Sequence, residues 1–212
     1  LALVGLDRFP RIDILVNNAG VYGPLGLIEE IDWEEWACAV NINLLGSVMM
    51  VRAFLPHFKS NRYGKIIQLS GGGATSPLPR ISAYAASKAA VVRFAETLAE
   101  EVREWNIDVN AIAPGALNTR LLDQVLDAGP GAVGGAFFER SLKQKEEGGA
   151  SLRTAAELTA FLASSESDGI TGKLISAPWD PWQDFPARLE DLSGTDVYTL
   201  RRIVPRDRGL DW

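Results

Sequence analysis

The chain is poor in the residues that build disulfide frameworks and metal centres: its 212 residues include one cysteine and one histidine. The lone Cys38 excludes an intrachain disulfide and a cysteine-ligated cluster. Because His57 has no second histidine and no carboxylate cluster at ligand spacing, we expect no metal. We expect Cys38, which stands among alanine and valine, to pack in the core, and His57 to lie at a helix end.

Positive charge and long apolar runs are also scarce. The 27 acidic and 21 basic residues give a net charge of −6, which argues against nucleic acid or an anionic membrane as a partner. No run approaches the roughly 18 apolar residues of a membrane span, and we expect no secretory leader. With 47% hydrophobic and 23% charged residues, the composition predicts one sizeable core in a cytoplasmic protein.

Short apolar runs that end in small or polar residues alternate with amphipathic stretches. This alternation predicts an α/β fold, a doubly wound parallel sheet between two helical layers. Ligands bind such sheets beyond the carboxyl ends of the strands, where these runs end in Gly, Asn, Ser or Pro. The predicted strands are 11–16, 64–70, 107–113 and 172–176, and the predicted helices are about 30–60, 82–105 and 153–164.

Tyr84 and Lys88 stand four residues apart in a predicted helix, so both side chains lie on one face. A free tyrosine has a pKa near 10 and is a poor acid or base at neutral pH. An ammonium beside it favours the phenolate and lowers that pKa. The pair predicts proton transfer, although the same spacing on an ordinary helix is usually structural, so the interpretation depends on the surrounding motifs.

Four motifs stand in order within about residues 8–175: Asn17-Asn18-Ala19-Gly20, Asn43 within residues 40–46, Tyr84 with Lys88, and Pro114-Gly115 followed by Thr119. This ordered set resembles that of the short-chain dehydrogenase/reductase family. The resemblance implies a Rossmann-like fold and an oxidoreductase of the alcohol dehydrogenase class that uses NAD or NADP to interconvert an alcohol and a ketone.

The resemblance also implies individual roles. Tyr84 is the general acid or base, and Lys88 lowers its pKa while it holds the nicotinamide ribose. Asn43 resembles the residue that keeps a water in the proton relay, with Asn41 as the structural alternative on the other side of the helix. The family pairs the helix of Tyr84 and the preceding long helix with a symmetry mate, which implies a homodimer or homotetramer. The implied cofactor-binding residues are Asn17, Ala19, Gly20, Tyr84, Lys88, Pro114, Gly115 and Thr119.

One departure concerns the catalytic serine, which in the family lies thirteen residues before the tyrosine. That position holds Gly71. Ser70 is our first candidate to replace it, which completes a catalytic set with Asn43, Tyr84 and Lys88; Ser76, or no serine at all, are the alternatives. Losing a hydrogen-bond donor to the substrate carbonyl lowers rates by roughly 100-fold or more in other enzymes.

A second departure concerns the start of the chain. Family members open with a strand and a Thr-Gly-x-x-x-Gly-x-Gly turn for the pyrophosphate, and nothing here matches that turn. Residues 1–8 resemble the end of a later helix, so we expect residues 1–177 to form a partial domain that lacks two or three strands. The rival function is therefore a catalytically impaired or truncated relative that serves as a nucleotide-binding or scaffold subunit.

Two segments differ most from the rest of the chain. Residues 118–152 include a glycine-rich stretch and resemble the mobile lid that selects the small-molecule substrate. Residues 178–212 form an extension, not a separate domain, with Trp179, Trp182 and Trp212. We hypothesise that this tail covers the substrate mouth or a neighbouring subunit, with residues 198–202 docked on the body; packing on its own subunit is the alternative.

Overall fold

A sheet of four parallel strands forms the centre of the chain, in the order β1-β2-β3-β4. The computed structural model describes residues 2–212, with side chains from Gly5 onward. Helices cover both faces of the sheet, so the predicted doubly wound α/β architecture is confirmed. The strands are β1 (Ile14–Asn17), β2 (Gly64–Leu69), β3 (Ile107–Ala113) and β4 (Leu174–Ser176). The helices are α1 (Ala2–Arg8), α2 (Trp33–Val40), α3 (Gly46–Asn61), α4 (Ser82–Glu101), α5 (Arg120–Val133), α6 (Gly135–Glu147), α7 (Leu152–Leu162) and α8 (Leu189–Gly194).

The strand register brings four loops to one edge of the sheet. Asn17 at the end of β1 is aligned with Gln68, Leu69 at the end of β2 with Ile112, and Ala113 at the end of β3 with Ser176. Because the strands are parallel and end nearly level, the residues that follow each of them meet at the carboxyl edge. The predicted site residues therefore lie at that edge.

Alternation along the strands divides the core into two parts. Ile66 points towards α3 and α4, and its neighbour Ile67 points towards α7. On β1, Leu15 is buried in the part of the core that faces α3 and α4. Ile14 and Val16 on the opposite face are exposed, because α7 packs over β2 and β3.

One continuous helical stretch, from Trp33 to Asn61, contains α2, a π-helical turn at Asn41–Leu45, and α3. The Asp32 carboxylate caps it by accepting a hydrogen bond from the backbone N–H of Glu35. Its 29 residues, with a mean hydropathy of 1.6 in the most apolar window, are long and apolar enough to span a membrane by composition, which corrects our expectation from the sequence. The inner face packs on the sheet, as in the core helix of a globular domain.

Cys38 lies on the outer side of this stretch and is exposed, which corrects its predicted core position. Ala39, one residue further and therefore about 100° around the helix, takes the buried position. The His57 ring accepts a hydrogen bond from the backbone N–H of Ile12, 3.1 Å away, and so ties α3 to the chain just before β1.

The predicted lid is largely helical. Helices α5 and α6 occupy most of it, and the glycine-rich stretch breaks α5 at Gly129, whose φ is +75°, before Pro130. Glycine tolerates this left-handed backbone and proline restarts the helix, so the glycine-rich stretch forms a kink between helical segments.

The tail packs on its own chain. Trp182 and Phe185 are buried against α7, with the Trp182 ring 5.5 Å from that of Phe161. The carbonyl of Tyr198 accepts a hydrogen bond of 2.7 Å from the backbone N–H of Leu174, so the tail covers the free edge of β4. Trp179 is 83% exposed.

Candidate active site

Tyr84 and Lys88 lie in the first two turns of α4, and both are buried at the carboxyl edge of the sheet. The Lys88 ammonium donates a hydrogen bond of 2.6 Å to the carbonyl of Leu69, the last residue of β2. It lies 5.6 Å from the centre of the Tyr84 ring. The helical spacing thus places both groups on one face, and the end of β2 anchors the lysine.

Burial acts on the two groups in opposite directions. It raises the pKa of the Tyr84 phenol, with a further contribution from the neighbouring phenol of Tyr22. It lowers the pKa of the Lys88 ammonium to about 8. The sequence predicted a lowered tyrosine pKa. That prediction is wrong for this structure, because desolvation disfavours the charged form of each group and the ammonium is bonded to a carbonyl instead of the phenol.

The Asn17–Gly20 motif follows β1 and reaches the lysine. The Asn17 amide donates to the carbonyl of Ser47 on α3, at 3.3 Å, which fixes the end of the strand. Ala19 is exposed at the edge. A Cβ added to Gly20 would lie 3.3 Å from Lys88 Nζ and 3.4 Å from Asn43 Oδ1. Glycine at this position therefore leaves space beside the lysine.

Asn43 is almost fully buried in the π-helical turn, whereas Asn41 is exposed. Its Oδ1 accepts from the backbone N–H of Val21 at 2.8 Å, and its Nδ2 donates to the Val21 carbonyl and the Ser87 hydroxyl, each at 2.9 Å. The side chain thus clamps the loop after β1 against α4. π-Helical turns often occur at functional sites because they redirect a side chain.

The glycine at the position expected to hold a serine faces the Tyr84 phenol. A Cβ added to Gly71 would lie 3.1 Å from Tyr84 Cζ and closer still to its hydroxyl oxygen. The Ser70 hydroxyl is buried and has no hydrogen-bond partner among the described residues, so the structure does not join it to Tyr84. Ser76 lies exposed in the loop. The structure brings Gly71, and neither serine, to the phenol.

The segment after β3 forms the far side of the edge. Gly115 has a φ of +91°, which favours glycine, and a Cβ there would lie 2.8 Å from the Cβ of Ala150. Pro114 precedes it directly after β3. The Thr119 hydroxyl caps α5 by accepting from the backbone N–H of Leu121.

Two residues that sequence reasoning missed also lie at this edge. The Tyr22 ring packs edge-on against Tyr84, with 4.8 Å between ring centres. Arg80 donates from its guanidinium to the carbonyls of Gly131 and Ala132 in the lid, at 2.8 and 3.4 Å, and its own carbonyl accepts from the backbone N–H of Gly26. The only signals in the sequence were the closeness of Tyr22 to Gly20 and of Arg80 to Tyr84.

Comparison with known proteins agrees with this geometry. The sequence profile described as short chain dehydrogenase matches residues 5–128, more than half of the chain. The chain belongs to this family. A 3-oxoacyl-[acyl-carrier-protein] reductase of Thermotoga maritima is 33% identical over 171 residues, which cover 80% of this chain and 66% of that protein. A 3-ketodihydrosphingosine reductase of Bacteroides thetaiotaomicron is 41% identical over 113 residues, 53% of this chain and 42% of that protein.

Solved structures of the family superpose well on the chain. An NAD+-bound xylitol dehydrogenase gives a TM-score of 0.74 at 25% identity, covering 82% of this chain and 72% of that one. A short chain dehydrogenase/reductase from Saccharomyces cerevisiae gives 0.75 at 27% identity, covering 91% and 73%. The chain thus has the fold of this oxidoreductase family and spans about two thirds or less of the curated relatives' length.

Proposed function

We propose that the chain carries the catalytic edge of an NAD(P)-dependent oxidoreductase that interconverts an alcohol and a ketone. The observation that supports this most directly is the buried pair of Tyr84 and Lys88 beside Gly20 at the carboxyl edge of a parallel sheet. A phenol positioned for proton transfer, next to an ammonium and a space lined by glycine, suits the addition of a proton to a carbonyl oxygen or its removal from an alcohol.

The residues present fit the nicotinamide and ribose end of a dinucleotide. Gly20 leaves the space in front of Lys88 open, and in the described part of the chain the ammonium uses one of its three N–H groups, on Leu69. Five further residues border the same edge of the sheet: Asn17, Ala19, Pro114, Gly115 and Thr119. A bound nicotinamide would supply or accept the hydride.

Tyr84 would exchange the proton with the substrate oxygen, and Lys88 would hold ribose hydroxyls through its remaining donors. Asn43 would keep the loop after β1 in place through Val21. Because burial raises the pKa of Tyr84, the phenol is protonated at neutral pH and carries the proton that carbonyl reduction consumes. The relatives from Thermotoga and Bacteroides are named as reductases, which agrees with this direction.

The matched pair Tyr84→Phe and Tyr63→Phe tests the proposal, since Tyr63 precedes β2 at the opposite edge of the sheet. We expect NAD(P)H oxidation by a panel of ketones to fall by roughly 100- to 10,000-fold in Tyr84→Phe, the usual contribution of a general acid. The rate should stay near wild type in Tyr63→Phe. Equal rates in wild type and Tyr84→Phe would contradict the proposed mechanism.

A second function is favoured by Gly71 and by the unpartnered, buried hydroxyl of Ser70. With no serine hydroxyl at the phenol, the chain could be a catalytically impaired relative that binds a nucleotide or acts as a scaffold. Titration with NADH and NADPH, followed by cofactor fluorescence, separates the two functions. Binding without turnover supports the impaired relative. No binding argues against the oxidoreductase and against a nucleotide-binding role, and leaves the scaffold.

We also propose that the protein is a homodimer or homotetramer through the helices that the family pairs. An exposed apolar stripe formed by Ile42, Leu45 and Met49 supports this, because a stripe at helical spacing on an outer face suits a second copy of the helix. Light scattering of wild type and Met49→Glu tests the interface: a lower mass for the variant is expected.

The exposed thiol of Cys38 suits a reducing compartment, in line with a cytoplasmic location.

A further inference from the structure

The phenol of Tyr84 is seated between a position without a side chain and the ring of a second tyrosine. On one side lies Gly71, where an added Cβ would occupy the space of the Tyr84 hydroxyl. On another side, the Tyr22 ring meets the Tyr84 ring edge-on, at 4.8 Å between centres and an interplanar angle of 80°. Edge-on packing is a preferred aromatic geometry, so it restrains the orientation of both rings.

The backbone that carries Tyr22 is itself held from several directions. Its neighbour Val21 is bound through both its N–H and its carbonyl to the buried Asn43 amide. On the other side of Tyr22, Gly23 has a φ of +74°, and a Cβ there would lie 2.6 Å from that of Ala39. The loop therefore cannot shift as a unit without breaking the Asn43 bonds or colliding with α2.

We propose that Tyr22 is a positioning residue, whose ring, seated by the Asn43 clamp on Val21, holds the Tyr84 phenol in the space that Gly71 leaves open. The inference rests on the proposed function, since the position matters for catalysis only if Tyr84 transfers the proton. The effect of Tyr22 on the pKa of Tyr84 agrees with this proximity. The ionisable groups that face Tyr84 from the packed elements are Tyr22, from the loop, and Lys88, from α4.

Three variants at position 22 test the inference by kinetics. Tyr22→Leu removes the ring, and we expect kcat to fall by about 10- to 100-fold with little change in KM, because a displacement of about 1 Å can cost 100-fold. Tyr22→Phe keeps the ring and should stay within about 3-fold of wild type. If Tyr22→Leu does not fold, Tyr22→Met, a flexible apolar residue, takes its place. A kcat in a folded ring-less variant equal to that of Tyr22→Phe would overturn the proposal.

A measurement without turnover separates this inference from the proposed function. Labelling the full chain with 3-fluorotyrosine gives one 19F signal for each of its four tyrosines, and the signals can be assigned from the Tyr→Phe variants. We expect the signal of Tyr84 to move, and its pKa to fall, in Tyr22→Leu, while the signals of Tyr63 and Tyr198 stay in place. If the Tyr84 signal moves but the protein shows no turnover, the result supports the positioning of Tyr84 by Tyr22 and contradicts the proposed oxidoreductase function. An unchanged Tyr84 signal in Tyr22→Leu would contradict the proposal that the Tyr22 ring holds the Tyr84 phenol.

Discussion

Placing the smallest possible side chain at position 71 should displace the Tyr84 phenol. An added Cβ lies 3.1 Å from Tyr84 Cζ and nearer still to the hydroxyl oxygen, whereas carbon atoms in good contact are about 3.5–4.0 Å apart. The phenol must therefore retreat by about 1 Å, since the backbone before Gly71 is held by the hydrogen bond from the Ser70 N–H to the carbonyl of Ile112 on β3. A misplacement of that size costs roughly 100-fold in rate.

The chain contains its own control one residue further on. A Cβ added to Gly72 meets nothing within 4 Å, and neither Gly71 nor Gly72 has a positive φ that would penalise alanine. We expect Gly71→Ala to lower kcat by about 100-fold and Gly72→Ala to leave it within about 2-fold. The assay is NAD(P)H oxidation with the best ketone of the panel.

Gly71→Ser separates the steric effect from the missing hydroxyl. The serine carries the same Cβ and adds a donor near the substrate oxygen, so a rate above that of Gly71→Ala measures what the hydroxyl contributes. Equal activity in wild type, Gly71→Ala and Gly72→Ala would refute the reasoning, because the phenol would then not be held against position 71.

Three further predictions concern stability and the lid. Trp182→Ala should lower the free energy of unfolding by about 3–5 kcal/mol in urea, whereas Trp179→Ala, at an exposed site, should leave it nearly unchanged; equal losses would contradict the packing of the tail. Burial lowers the pKa of Lys88 in the folded protein to about 8, below its value near 10.4 in the unfolded chain. Because the unfolded chain therefore binds more protons between these pH values, the free energy of unfolding rises with pH across this range. Lys88→Met should therefore raise the free energy of unfolding at pH 7 by up to about 3 kcal/mol and show a smaller gain at pH 10, and a gain independent of pH would argue against the buried ammonium. Arg80→Ala should speed amide exchange at residues 131–135, because its guanidinium binds the carbonyls of Gly131 and Ala132. Arg153→Ala, in an exposed pair on α7, should not.

The sequence alone determined the sheet, most helices and the family, because these depend on local patterns. Short continuous apolar runs and helical stripes are written in the order of residues, and so is the spacing of Tyr84 and Lys88. The choice of Asn43 over Asn41 also agrees with their burial, since residues two apart on a helix face different sides. The ends of the strands were predicted to within about three residues.

The tertiary structure decided what lies against the phenol. Whether Ser70 reaches Tyr84 depends on how the chain turns after β2, and whether burial or the ammonium dominates the tyrosine pKa depends on the surrounding atoms. The partner across the site, Tyr22, is 62 positions away in the chain, so no local pattern could have paired it with Tyr84. The same holds for the tail, whose tryptophans look alike in the sequence, although one is buried on α7 and another lies in solvent.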